Sequence, residues 1–204
     1  NPKLSLEYAR RQLTTAERAV RADKADAQAR YNLARANSRL GLLLALSGKT
    51  ADAYAQLSTA ETMYNALISD DPKNAVFQRD LGTLYVRMGD TSEKRKDYYD
   101  AMLKYQNSAV LFEKIAQADE KNTLARRDLA QSLKSVGLMA IKTGELQKNK
   151  QFLAAIDYAK NNHKKLHLLG LVSDGGVHSH IGHLKALTTV CTEQGLQNVF
   201  IHAF

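Results

Sequence analysis

Three stretches of the chain superimpose without a gap: "DKADAQARYNLARANSRLG" (23–41), "DPKNAVFQRDLGTLYVRMG" (71–89) and "DEKNTLARRDLAQSLKSVG" (119–137). The period is 48 residues. A unit of this size cannot bury its apolar face alone, so successive copies must stack on one another. Asp23, Asp71 and Asp119 coincide, as do Asp26, Asn74 and Asn122, then Leu33, Leu81 and Leu129, and finally Gly41, Gly89 and Gly137.

Asp26, Asn74 and Asn122 each offer a side-chain oxygen where the free amides of a new helix need an acceptor. Counting from that cap, apolar residues recur at Ala29, Phe77 and Ala125, at Leu33, Leu81 and Leu129, and at Leu40, Met88 and Val136, which is one face of a helix. The small residues Ala34, Gly82 and Ala130 leave room for a neighbouring helix to approach. Further helices are read in "LSLEYARRQLTTAERAVRA", "ADAYAQLSTAETMYNALIS" and "YYDAMLKYQNSAVLFEKIAQA". Turns are expected at Ser47–Thr50 and Thr143–Glu145. In the middle repeat either "MGDTS" (88–92) breaks the chain or the helix runs on to Lys96. The expected fold is mainly α: an α-solenoid of antiparallel helix pairs over residues 1–145, then a small β-α-β segment over 146–204.

The "RDLG" (79–82) and "RDLAQSLKSVG" (127–137) motifs, with the glycine pairs Gly41/Gly48 and Gly137/Gly144, resemble the long-period tetratricopeptide (TPR) repeats. The resemblance covers residues 1–145 and implies a groove that binds a protein or peptide ligand. Asn32, Arg35, Arg39, Arg79, Arg87, Arg127 and Lys134 are the candidate groove residues, against the alternative that each is a solvated face of an amphipathic helix. Tyrosines in "DYYDAMLKY" (97–105) are expected to pack. No catalytic residue is expected in this half, which contains neither His nor Cys.

Charge and residue distribution narrow the function classes. The formal net charge is +8, but Lys and Arg alternate with Glu and Asp along the helices without a basic run, so nucleic acid is not an expected partner. No apolar run approaches about 18 residues, and a membrane is not expected either. Cys191 is the only cysteine, which suits a reducing compartment, and a cytoplasmic location is expected. The chain begins at Asn1, as a trimmed or processed fragment would. All twelve arginines lie at or before Arg127 and all six histidines after residue 162, which marks a boundary between about 143 and 150.

From Gln151 the texture changes: a helix in "QFLAAIDYAKNN", an apolar strand in "KLHLLGLV" (165–172), a helix in "HIGHLKALTTVCTEQG" (180–195) and a strand in "LQNVFIHAF" (196–204). Strands of this kind alternating with helices fit a parallel sheet, and ligands of such sheets lie beyond the strand C-termini, here at Ser173, Asp174 and His178. His178, His180 and His183 could chelate in pairs, but no third ligand is evident and no metal is expected.

"LHLLGLVSDGGVHSHIGHLKAL" and "GLQNVFIHAF" are similar to cofactor-independent phosphoglycerate mutases, which use two manganese ions and a phosphoserine. The resemblance covers residues 147–204. It implies a substrate-contacting role for His178, vestigial here because the family's nucleophilic serine, manganese ligands and substrate arginine have no counterpart. The expected function is a noncatalytic interaction scaffold carrying an inactive mutase-like fragment, without cofactor. The alternatives are mutase activity with Mn2+, and an engineered or recombined chimera without ligand. Two strands cannot cover their own edges, so homo-oligomerisation through residues 165–204 is also expected.

Overall fold

A computed structural model of the chain describes residues 2–173 and 181–204. It divides into two compact units, 1–136 and 137–204. The first contains α1 (Pro2–Ala22), α2 (Ala27–Leu46), α3 (Thr50–Asp70), α4 (Ala75–Lys94) and α5 (Tyr98–Ala118), and α6 (Thr123–Thr143) crosses the division.

The three expected caps form. Asp26 Oδ1 accepts from the amides of Gln28 and Ala29 at 2.8 and 3.1 Å. Asn74 Oδ1 accepts from Val76 and Phe77 at 3.2 and 3.3 Å, and Asn122 Oδ1 from Ala125 at 2.9 Å. The repeated aspartates shape the preceding turns: Asp23 Oδ1 accepts from the Ala25 amide at 2.8 Å and Asp119 Oδ1 from that of Lys121 at 3.0 Å.

Helix pairs close over small residues. An ideal Cβ on Gly41 would lie 2.7 Å from Leu57, and one on Gly89 would lie 2.6 Å from the Tyr105 ring. Leu57 and Tyr105 are themselves one period apart, so the same contact is made twice. Ala34, Leu57, Ala60, Tyr64, Leu67, Leu81, Leu84 and Met88 form one buried cluster across α2, α3 and α4. Phe112 and Ile115 of α5 pack on Ala125 of α6, where the buried hydroxyls of Ser108 and Ser132 share a hydrogen bond of 2.9 Å.

Successive repeats are joined by polar contacts between residues 49 apart, one period plus one. Tyr31 donates its hydroxyl to Asp80 at 2.9 Å, Arg87 Nη1 donates to Ser38 Oγ at 2.6 Å, Lys94 Nζ to the Ala45 carbonyl at 3.3 Å and Arg79 Nη2 to Asp128 Oδ2 at 3.0 Å. The recurring offset shows that the stacking register repeats with the sequence.

The middle turn resolves in favour of the longer helix: α4 runs to Lys94 and the chain turns at Lys96, whose φ is 62°. Gly48 and Gly144, with φ of 81° and 76°, lie one period to either side. The turn therefore recurs in backbone conformation although its middle copy lacks glycine. In α6 the pattern departs. Gly137 has nothing within 4 Å of an added Cβ, and Ala130 is exposed.

The helix expected near Leu146 begins later. A short 3-10 turn spans Glu145–Lys148, and α7 (Lys150–Asn161) starts where Asn149 Oδ1 accepts from the Phe152 amide at 2.9 Å. Leu153 holds the place in the period that Leu57 and Tyr105 hold, yet it packs in the second unit's core against Ile156, Ala159, Val190, Cys191 and Leu196. That core also takes Leu166 and Val199, from β1 (Leu166–Gly170) and β2 (Val199–Ala203), which pair in parallel from Leu166↔Val199 to Gly170↔Ala203. Between the strands lies α8 (Ile181–Glu193). The sheet is covered on one face only: His167, Leu169, Phe200 and His202 share the other, and all four are exposed.

These packing differences give opposite expectations for one substitution. Gly89→Ala forces the Tyr105 ring aside and should lower stability by about 1–3 kcal/mol, whereas Gly137→Ala gains helix propensity in open space and should raise it by about 1 kcal/mol. Denaturant unfolding checks both, and equal effects would contradict the packing. Lys96→Gly, by the same method, should stabilise by roughly 0.5–1 kcal/mol, because glycine takes positive φ without steric cost.

Candidate functional site

The first unit holds a groove of about 1070 Å³ between α1, α2 and α4, with Tyr64 of α3 at its base. Residues at a spacing of four along α2 place Arg35 and Arg39 on one wall with Asn32 and Tyr31. Arg87 of α4 lies one period after Arg39, so the repeat sets the two arginines in a row. Tyr8, Arg11, Gln12 and Thr15 of α1 form the other wall.

The groove's charge is lopsided. Four arginines and one carboxylate, Asp80, line it. The carboxylate is already engaged, accepting from Tyr31 at 2.9 Å and Tyr64 at 3.4 Å. Arg35 lies over the Tyr31 ring at 5.5 Å and Arg39 over that of Tyr8 at 6.0 Å, contacts that attract the guanidinium groups without neutralising them. Arg87 is half-buried, and burial pushes its pKa down while the Tyr64 and Asp80 groups push it up.

The sequence-chosen candidates divide. Asn32, Arg35, Arg39 and Arg87 line this groove. Arg79 and Arg127 instead converge on Asp128, at 3.0 and 3.3 Å, where Arg79 ties α4 to α6. Lys134 is exposed on α6, away from the groove lining. Tyr8, Arg11, Tyr31 and Asp80 were not singled out. The signal for Asp80 was its equivalence to Asp128, with Tyr31 and Arg79 as equivalent donors.

Below the groove, tyrosine hydroxyls meet carboxylates throughout the first unit. Tyr105 donates to Asp90 at 2.7 Å, and Tyr54 to Asp100 at 2.8 Å, where Ser92 donates as well. Burial is the first cause raising the pKa of Tyr31, Tyr54, Tyr64, Tyr85 and Tyr105. Tyr85 is pushed up to about 12, with the Glu61 charge as the second cause.

In the second unit, a smaller cavity of about 170 Å³ lies between Leu168–Val172 and α8, lined by His183, Leu184, Leu187, Ile201 and His202. The Ile181 amide donates to the Ser173 carbonyl at 2.9 Å, holding the start of α8 beside the end of the first strand. Asp174, His178 and His180 lie outside the described residues. Among the described residues no three of His, Cys, Asp and Glu converge as metal ligands. His167 Nδ1 and His202 Nε2 lie 2.7 Å apart on the uncovered face. Cys191 faces the sheet from α8, and burial pushes its thiol pKa up, away from the thiolate that reactivity requires. No helix among the described residues is long and apolar enough to cross a membrane.

Comparison with known proteins bears on the second unit. Residues 138–204 match the family described as BPG-independent PGAM N-terminus. The 2,3-bisphosphoglycerate-independent phosphoglycerate mutases of Listeria welshimeri and Listeria innocua are each 46% identical to this chain over 89 residues, which is 44% of the chain and 17% of theirs. The chain thus spans about a sixth of the length of these curated relatives. No solved structure matches it. The similarity supports a mutase-derived segment at the C-terminal end of this sequence.

The tyrosine network has a consequence at alkaline pH. The fold favours the neutral phenol, so its contribution to stability is complete below the ordinary tyrosine value of 10.0 and is lost as pH rises through the raised values, about 12 for Tyr85. Ultraviolet titration should resolve a late group of tyrosines that ionises together with loss of helical circular dichroism. A single phase at the ordinary value with helices intact would contradict the burial.

Proposed function

We propose that the chain is a noncatalytic protein-interaction scaffold: its TPR-like repeats hold a peptide segment in the groove between α1, α2 and α4, and its mutase-like segment is carried without turnover. The observation that carries this reading is the groove itself, large, open and lined by four arginines, two of which lie over tyrosine rings. Residues 1–136 contain no His or Cys, which favours recognition over catalysis there. The apolar Leu169, Leu171, Phe200 and Phe204 are 67, 59, 42 and 74% exposed, and we extend the proposal to self-association through residues 165–204.

A second reading is favoured by the 46% identity to the Listeria mutases: that the chain takes part in phosphoglycerate isomerisation with Mn2+. In that reading His178 contacts the substrate, as the resemblance implies. Phosphoryl transfer needs in-line placement and charge neutralisation by several groups together.

One pair of measurements separates the two. Selection from a random peptide library, unbiased in charge, should yield peptides that bind the full chain and lose affinity when Arg39 is replaced by Glu. A manganese-supplemented assay with 3-phosphoglycerate should show no turnover. Isomerisation beyond one equivalent, or a library that yields no groove-dependent binder, would overturn the scaffold reading.

A further inference from the structure

Resting on the scaffold reading, we infer that the groove's ligand is an acidic peptide, whose carboxylates meet the Arg35, Arg39 and Arg87 guanidinium groups.

Several other arginines of the first unit are ion-paired, Arg11 on the groove's own wall among them. Arg30 is paired with Asp70 at 2.7 Å, Arg79 with Asp128 at 3.0 Å and Arg11 with Glu7 at 2.6 Å. Arg35, Arg39 and Arg87 form no ion pair among the described residues; their contacts are two aromatic rings and one serine hydroxyl. A guanidinium over a ring remains charged and keeps its N–H donors, the fork that a carboxylate matches with two parallel hydrogen bonds. Such positioning without a counter-charge leaves the interaction to be completed from outside.

Arg87 adds a second line. It is half-buried, with one donor committed to Ser38 and no paired carboxylate, so part of its hydration is lost while the Asp80 charge acts on it only from a distance. An entering carboxylate relieves that cost in a site of lowered dielectric, where a charged pair is stronger than at an open surface. The groove's own acid favours the charge of Arg87 but does not pair with it, since Asp80 accepts from Tyr31 and Tyr64 instead.

Peptide is favoured over nucleic acid by the same geometry. Single-strand binding needs free aromatic faces on which bases stack, and here a guanidinium already lies over one face of Tyr8 and of Tyr31. Asp80 at the base of the groove opposes a continuous phosphate chain but tolerates a peptide whose acids are spaced along one side.

The test uses the full chain and three fluorescently labelled peptides of equal length, rich in Glu, in Gln and in Lys, read by fluorescence anisotropy. The Glu peptide should bind about tenfold or more tightly than the Gln peptide, and weaken as salt rises. Arg39→Glu should weaken it at least tenfold, whereas Arg18→Glu, the same charge change on α1 outside the groove lining, should leave it within about twofold. Because Arg87 is half-buried, the exposed Arg35→Gln serves as the second groove variant, with circular dichroism reporting that both remain folded. Equal binding of the Glu and Gln peptides at an Arg39-sensitive site overturns the acidic preference while leaving the scaffold reading standing. Tighter binding of a single-stranded oligothymidylate at that site overturns it in favour of nucleic acid. Binding of no peptide removes both readings.

Discussion

The close approach of helices at Gly41 and Gly89 is the constraint on which the first unit depends. With no side chain on α2 or α4 at these points, Leu57 and Tyr105 settle against bare backbone, where an added Cβ would lie within 2.7 Å of them. That approach brings Ala34, Leu57, Leu84 and Met88 together out of water, each wholly buried or nearly so. Burial of such side chains contributes roughly 1.5–3 kcal/mol for each larger one. Between successive first helices, α2 and α4, Tyr31 reaches Asp80 and Arg87 reaches Ser38. The groove is built on these contacts: its base is made of the same residues that join one repeat to the next.

Within this frame the arginines carry two different kinds of work. Those at the joints between elements, such as Arg30 and Arg79, end on carboxylates and contribute to stacking. On the groove walls Arg35 and Arg39 lie over rings and Arg87 donates to a hydroxyl, with no ion pair for these three among the described residues, while Arg11 is paired with Glu7. Formal net charge does not distinguish the two. For Arg79 the difference follows from register: residues 49 apart meet across the stack, and Asp128 stands at that offset.

The second unit follows other rules. Its hydrophobic cluster forms between α7, α8 and one face of two parallel strands, and Leu153 is drawn into it although its place in the period matches that of Leu57 and Tyr105. The capping of α7 by Asn149 restarts the helix after Gly144 and is the local event behind that change. The match to the mutase family model begins at residue 138, close to the division at 136, whereas the 89 residues aligned with the Listeria mutases are more than 138–204 contains and so reach back into the first unit.

Much of the repeat architecture was legible residue by residue. Asp26, Asn74 and Asn122 announced the helix starts because a capping oxygen acts within its own turn, and the apolar positions at matching offsets announced the buried face because a helix imposes its period locally. The parallel strands were legible for a similar reason, although their outer face is bare where the apolar run suggested cover. What the sequence could not show was which polar side chains meet. Arg79 and Arg39 look alike along the chain, but one finds Asp128 at 3.0 Å and the other only the ring of Tyr8. The turn at Lys96 was likewise open, since lysine carries no local signal for positive φ and the position is imposed by the packing on either side. Local hydrogen bonding and periodicity are written into neighbouring residues. Pairing across the stack depends on register between segments far apart, and only the folded arrangement of the helices decides it.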